Sequence, residues 1–178
     1  QYSMSIAIKI KGLDEVIAKF DKIAQETADE VNGELDAFGQ AVVKDAKGLV
    51  SANSSDEGGL LRSIDSSVGS LNVTITARQN YAAYIEFGTR KFAASYISSL
   101  PSDWQSFAAT FKGESQGSFR EFMIAIMGWV KRKGIEEKAA YPIARKILRE
   151  GIRPKPFLYP SIVRELPKLE KRIENIFK

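Results

Sequence analysis

The sequence predicts an α+β fold, in which a small antiparallel sheet of three or four strands packs on a long N-terminal helix and a C-terminal helix. Three observations carry this expectation. Met4, Ile6, Ile8 and Ile10 alternate with polar or small residues, the period of a half-buried strand. From Leu13 the period becomes helical, with Val16, Ile17, Phe20, Ile23, Thr27, Val31, Leu35, Phe38, Val42, Ala46 and Leu49 on one stripe. Alternation then returns in Leu71, Val73, Ile75 and Ala77.

The first strand ends at Gly12. A continuous helix over 13–50 would be on the order of 55 Å long. Gly33, Gly39 and Gly48 each weaken it by up to about 1 kcal/mol relative to alanine, so a bend or break is expected near Gly33. Such a helix outruns the core of one small domain, and part of its stripe is expected to pack on a neighbouring subunit. Ser51 to Gly59 is polar and glycine-ended, a loop. Leu60 to Val68 and Leu71 to Arg78 form a hairpin with Gly69-Ser70 at its turn, although Leu60 to Ile64 reads equally well as one helical turn. Tyr81, Tyr84, Ile85 and Phe87 give one apolar side to a short helix that Gly88 closes. Residues 90–118 are the least legible, with Trp104, Phe107 and Phe111 set among serines and glycines and a loop-like 113–118. Phe122, Met123, Ile126, Met127 and Val130 mark an amphipathic helix from Phe119, ended by Lys131-Arg132-Lys133-Gly134. Another helix spans about Glu136 to Glu150, with a kink expected at Pro142 and a stop at Gly151. The last helix uses Ile162, Leu166, Leu169, Ile173 and Ile176, and Pro167 must sit in its first turn or kink it.

Composition removes whole classes of chemistry. The 178 residues contain no cysteine and no histidine, hence no disulfide, thiolate ligand, cysteine nucleophile or imidazole base. No apolar run approaches the roughly 18 residues needed to cross a membrane, so no membrane partner is expected. No signal peptide is visible, and Gln1-Tyr2-Ser3 ahead of Met4 reads as a cloning remnant. The net charge of +4 divides into −4 over residues 1–118 and +8 over 119–178. That asymmetry suits two different partners, one self-complementary assembly, or merely solvated faces.

Two segments are the most informative. Tyr81-Ala82-Ala83-Tyr84-Ile85-Glu86-Phe87-Gly88-Thr89 is answered far downstream by Arg153-Pro154-Lys155-Pro156-Phe157-Leu158-Tyr159-Pro160. Both are short, aromatic and bounded by glycine or proline, which suits closing the two ends of an insertion. Together they resemble a family of tailed-bacteriophage neck, head–tail connector or tail-completion proteins, typified by gene product ten of phage HK ninety-seven. The resemblance makes Tyr81, Tyr84, Glu86, Phe87, Gly88, Thr89, Pro156, Phe157 and Pro160 structural motif positions. It implies one α+β domain over 4–178, with 90–152 as an inserted, mainly helical lobe where shorter members have a brief loop.

The function this implies is that of a virion structural protein, without enzymatic activity and without cofactor or metal. It would act at the head–tail junction or in tail completion as a ring-forming neck component, assembled from host cytoplasm and monomeric in isolation. Its partners would be further copies of itself, the head-closure protein and the tail terminator or tail-tube protein. Two other classes compete. Lys131, Arg132 and Lys133 followed by Gly134 and a second helix bearing Arg145, Lys146 and Arg149 have the outline of a DNA-binding helix-turn-helix, or of non-specific phosphate contacts. A metal-dependent nuclease would need a carboxylate pair, and Glu86 has no acidic partner at a suitable spacing. Glu86 reads instead as a capping or inter-subunit salt-bridge residue.

Overall fold

The computed structural model describes residues 6–9, 25–53, 58–79, 81–111 and 118–178. Its contacts divide the chain into two compact units. The described residues up to Ala82, with Lys155–Lys178, form the first, and Ala83–Pro154 form the second.

In the first unit, strands β1 (Ile6–Lys9), β2 (Ile64–Gly69) and β3 (Asn72–Ala77) make an antiparallel sheet in the order β1-β3-β2. Ile6 pairs with Ala77 on one side of β3, and Ile64 pairs with the same Ala77 on the other. Val73, Ile75 and Ala77 are buried, so the alternation read in the sequence is the core face of the central strand. Helix α1 (Gln25–Asn53) packs on β2 and β3 and on the last helix. It runs unbroken through Gly33, and its C-terminal end extends into what the sequence marks as loop. Val31, Leu35, Phe38, Val42, Ala46 and Val50 are all buried within this chain. No apolar stripe of α1 is therefore left over for a neighbouring subunit. The remainder of the expected helix, 13–24, lies outside the described residues, as do the strand ends at Met4 and Ile10.

Gly39 is not a weak point but a contact. A Cβ there would stand 3.0 Å from the Ser66 Cβ and Oγ and the Val73 Cγ2, so the missing side chain lets the sheet approach the helix. The ambiguous stretch before β2 resolves into a single helical turn, α2 (Gly59–Ser63), and the strand begins at Ile64. The hairpin turn falls on Ser70-Leu71, one residue later than expected. Leu71 has φ +54, unusual for a residue with a Cβ. Asn32 on α1 accepts a hydrogen bond from the Leu71 N–H at 2.9 Å, which ties the strained turn to the helix. Replacing Asn32 by alanine strands that N–H, and a loss of about 1–2 kcal/mol is expected in a denaturant titration.

The last helix, α8 (Leu158–Ile176), lies antiparallel to α1: Arg164 pairs with Asp45 at 2.9 Å and Arg172 with Glu34 at 2.5 Å. Leu158, Ile162, Leu169 and Ile173 face the core. Pro167 sits in the interior of the helix. It frees the Val163 carbonyl, and both residues are exposed, so water can satisfy that oxygen.

The second unit is helical: α4 (Arg90–Ile97), α5 (Ser102–Ala109), α6 (Phe119–Arg132), a 3₁₀ turn (Glu137–Ala139) and α7 (Ala140–Glu150). α6 starts on a capping box absent from the sequence expectations. Ser118 accepts from the Glu121 N–H at 3.2 Å, and the Glu121 carboxylate accepts from the Ser118 N–H at 2.8 Å. Those bonds, the backbone one first and then the Ser118 hydroxyl, hold the Glu121 carboxyl below its ordinary value of 4.5. A depressed folded pKa gives stabilisation present above the ordinary value and lost as pH falls through the folded one. The protection of the amides at 118–122, taken relative to the intrinsic exchange rate at each pH, is therefore expected to fall on acidification. A Glu121→Gln variant, which cannot titrate, would lose that pH dependence. Pro142 is the third residue of α7, where its missing N–H removes no intrahelical bond, so the expected kink is unnecessary. α7 stops at Gly151, with φ +92 and ψ −179.

Candidate functional site

The Glu-Phe-Gly-Thr motif forms the end of a six-residue helix, α3 (Ala82–Phe87), and the turn that follows. Its buried side is rotated from the one the aromatic spacing suggests. Ala82, Ala83, Glu86 and Phe87 are buried, Tyr84 and Ile85 are half-buried, and Tyr81 is exposed. Two small alanines occupy the side nearest the interior, leaving the larger Tyr81 outward.

Gly88 adopts φ +73 and its N–H donates to the Tyr84 carbonyl at 3.0 Å, closing the helix as expected. It also meets the far end of the lobe. A Cβ on Gly88 would lie 2.7 Å from the Ile152 carbonyl oxygen and 2.9 Å from Pro154 Cδ. Thr89 then makes a reciprocal pair: its N–H donates to the Ile152 carbonyl at 3.0 Å, while its Oγ1 accepts from the Ile152 N–H at 2.7 Å. A Cβ on Gly151 would overlap the Thr89 carbonyl. Residues 63 positions apart are thus clasped backbone to backbone. The partners of Gly88 and Thr89 in this clasp are Gly151, Ile152 and Pro154, just upstream of the Pro-Phe pair that the sequence singles out.

Phe87 anchors the interior of the lobe. Its ring centroid is 6.3 Å from Trp104, 6.0 Å from Phe107 and 6.1 Å from Phe111, and the Phe107 and Phe111 rings meet edge-on at 5.1 Å. Pairs at such distances contribute about 0.5–1.5 kcal/mol each beyond area burial. The 104, 107, 111 spacing is a helical stripe, and that periodicity was the available signal in a stretch of otherwise weak sequence. Downstream, Phe157 is fully buried at the start of α8, and its carbonyl accepts from the Ser161 hydroxyl at 2.7 Å. Pro156 is half-buried, and Pro160 occupies the first turn of α8.

Glu86 is fully buried within the chain, which overturns its reading as an inter-subunit salt bridge. Among the described residues no group of three or more acidic side chains could hold a metal ion. The basic candidates are all on the surface. Lys131, Arg132 and Lys133 end α6, while Arg145, Lys146 and Arg149 project from α7. Arg149 pairs with Glu150 at 2.7 Å, and the Arg145 guanidinium stands 5.9 Å from the Tyr141 ring centroid. Residues 133–139 separate the two helices, more than the ~3–4 residues of a helix-turn-helix turn. No helix of the described residues is long and apolar enough to cross a membrane.

Residues 14–88 match the family model HK97-gp10_like, described as "Bacteriophage HK97-gp10, putative tail-component". This segment is similar to the HK97-gp10-like family. The match ends at Gly88, the first residue of the clasp, so the gp10-like segment includes α1, the hairpin and the motif helix, and residues 89–154 of the second unit lie beyond it. The resemblance drawn from the two motifs is thereby borne out over this segment, and it supports a structural role in a phage. No curated protein and no solved structure matches the chain.

Proposed function

We propose that the chain is a virion structural protein of a long-tailed bacteriophage or prophage, working in head–tail joining or tail completion as a ring-forming neck component. The observation that carries this reading is the gp10-like match over the segment that builds α1 and the β2–β3 hairpin. The fold agrees with a scaffold for contacts rather than for chemistry. Glu86 of the motif is buried, and the basic residues of α6 and α7 are spread over open helix surface. Further copies of the chain, a head-closure protein and a tail terminator or tail-tube protein are the partners of such a component. Heterologous contacts between copies generate a ring when their rotation closes.

Mass spectrometry of purified particles from the host carrying the gene tests the proposal. The protein should be present in a fixed multiple relative to the portal, at the neck by immuno-labelling. Its absence from finished particles would sink the structural reading. A phosphate-binding role of the basic lobe would show separately, as weak, sequence-independent retention of duplex DNA that falls steeply with salt, about −0.9 in logarithmic slope per phosphate neutralised.

A further inference from the structure

Most large apolar side chains exposed among the described residues belong to the lobe, and α6 concentrates them. Ile124 is 60% exposed, Phe119 54% and Met127 44%. Ile124 and Met127 share one stripe of α6 with Arg120 and Lys131, at the spacing that puts residues on a single helix face. The opposite face, through Phe122, Met123, Ile126, Trp129 and Val130, is turned inward. α6 is therefore apolar on two sides, and its outer stripe has a basic residue at each end. Exposed isoleucine and methionine between two cations suit a protein surface better than phosphate, which has no use for the apolar pair.

The chain itself contains a complement. α1 carries Glu26, Asp29, Glu30, Glu34 and Asp36 before its first basic residue, Lys44. Arg172 meets Glu34, while Asp29, Glu30 and Asp36 are exposed, with Gly33, Ala37 and Gln40 on the same outer side. The lobe, Ala83–Pro154, has twelve Lys/Arg against seven Asp/Glu, a net +5, whereas the rest of the chain has fourteen against fifteen, a net −1. Charge complementarity therefore points to a second copy of this chain as the occupant.

We propose that the Arg120–Ile124–Met127–Lys131 stripe of α6 in one copy docks on the outer, acidic face of the first half of α1 in the next. The contact is heterologous, each copy giving α6 to one neighbour and α1 to the other. It deepens the ring reading and rests on it for its setting. The absence of native cysteine makes disulfide trapping clean. Met127→Cys is prepared in one batch, and Gly33→Cys, Ala37→Cys or Gln40→Cys in others; nothing lies within 4 Å of a Cβ built on Gly33, so that variant fits.

Mild oxidation of concentrated full-length protein, and of particles grown with both variants, is expected to give a covalent dimer in mixtures but not in either batch alone. The yield should fall as salt rises. A dimer from Met127→Cys alone would mean that α6 meets α6, and would overturn the proposal. So would protection of Met127→Cys from a thiol reagent by duplex DNA, or a lack of mixed dimer in both solution and particles. If the protein is present in particles but never traps, this contact fails and the structural reading stands. If it traps in solution but is missing from particles, the contact stands and the structural reading fails.

Discussion

Replacing Gly151 by alanine is expected to cost the lobe about 4 kcal/mol. Two effects combine. At φ +92 and ψ −179 the backbone occupies a region open essentially to glycine alone, a strain of about 1–3 kcal/mol for any other residue. The added methyl would also overlap the Thr89 carbonyl and stand 2.8 Å from its carbon, so the two clasped segments must part. Such overpacking typically costs a further 1–3 kcal/mol. Both tryptophans, Trp104 and Trp129, lie in the lobe. Tryptophan fluorescence therefore reports this unit, and its melting midpoint should fall by roughly 15–30 °C. An unmoved midpoint would show that the clasp contributes nothing to the lobe's stability.

Phe157→Ala should be as damaging to the other unit. The side chain is fully buried at the first turn of α8, and truncating a buried phenylalanine costs about 3–5 kcal/mol through lost burial and the cavity left behind. Far-UV circular dichroism, dominated by the long α1 and α8, is the appropriate measurement. A midpoint lower by roughly 15–30 °C is expected. A wild-type transition would mean that α8 docks through its later turns alone.

Periodicity made the first unit legible because its elements obey one rule each. The alternating Val73, Ile75 and Ala77 are buried, as are Val31, Leu35, Phe38, Val42 and Ala46 at helical spacing. Placement of the turn failed at Leu71, since no propensity favours leucine at positive φ; the distant Asn32 decides it through a tertiary hydrogen bond. Gly39 was misjudged for a similar reason. Helix propensity penalises it, but close packing against Ser66 and Val73 requires it. At the motif, Gly88 was readable because its demand is local, a helix end. The closing of the lobe's two ends was legible too, but not its partners Gly151 and Ile152, because their pairing with Gly88 and Thr89 depends on two backbone segments meeting in space. Ser118 and Glu121 did carry a local signal, the Ser-x-x-Glu spacing of a capping box, which the run of glycine and serine before it obscured.

The reciprocal bonds between Thr89 and Ile152 have a consequence for how this protein can change over generations. An excursion that leaves and returns at one locked point makes little demand on its own length. Closing a loop of twice the size costs only about 0.6 kcal/mol more. Mutations that lengthen the sequence between the lock's two halves are thus screened by whether the aromatic cluster around Phe87 survives and by what the excursion touches outside the molecule, not by length itself. The gp10-like segment stops at Gly88, where that freedom starts. A lineage can refit this part to a new partner while inheriting its base unaltered, provided that Gly88, Thr89 and Gly151 are passed on together.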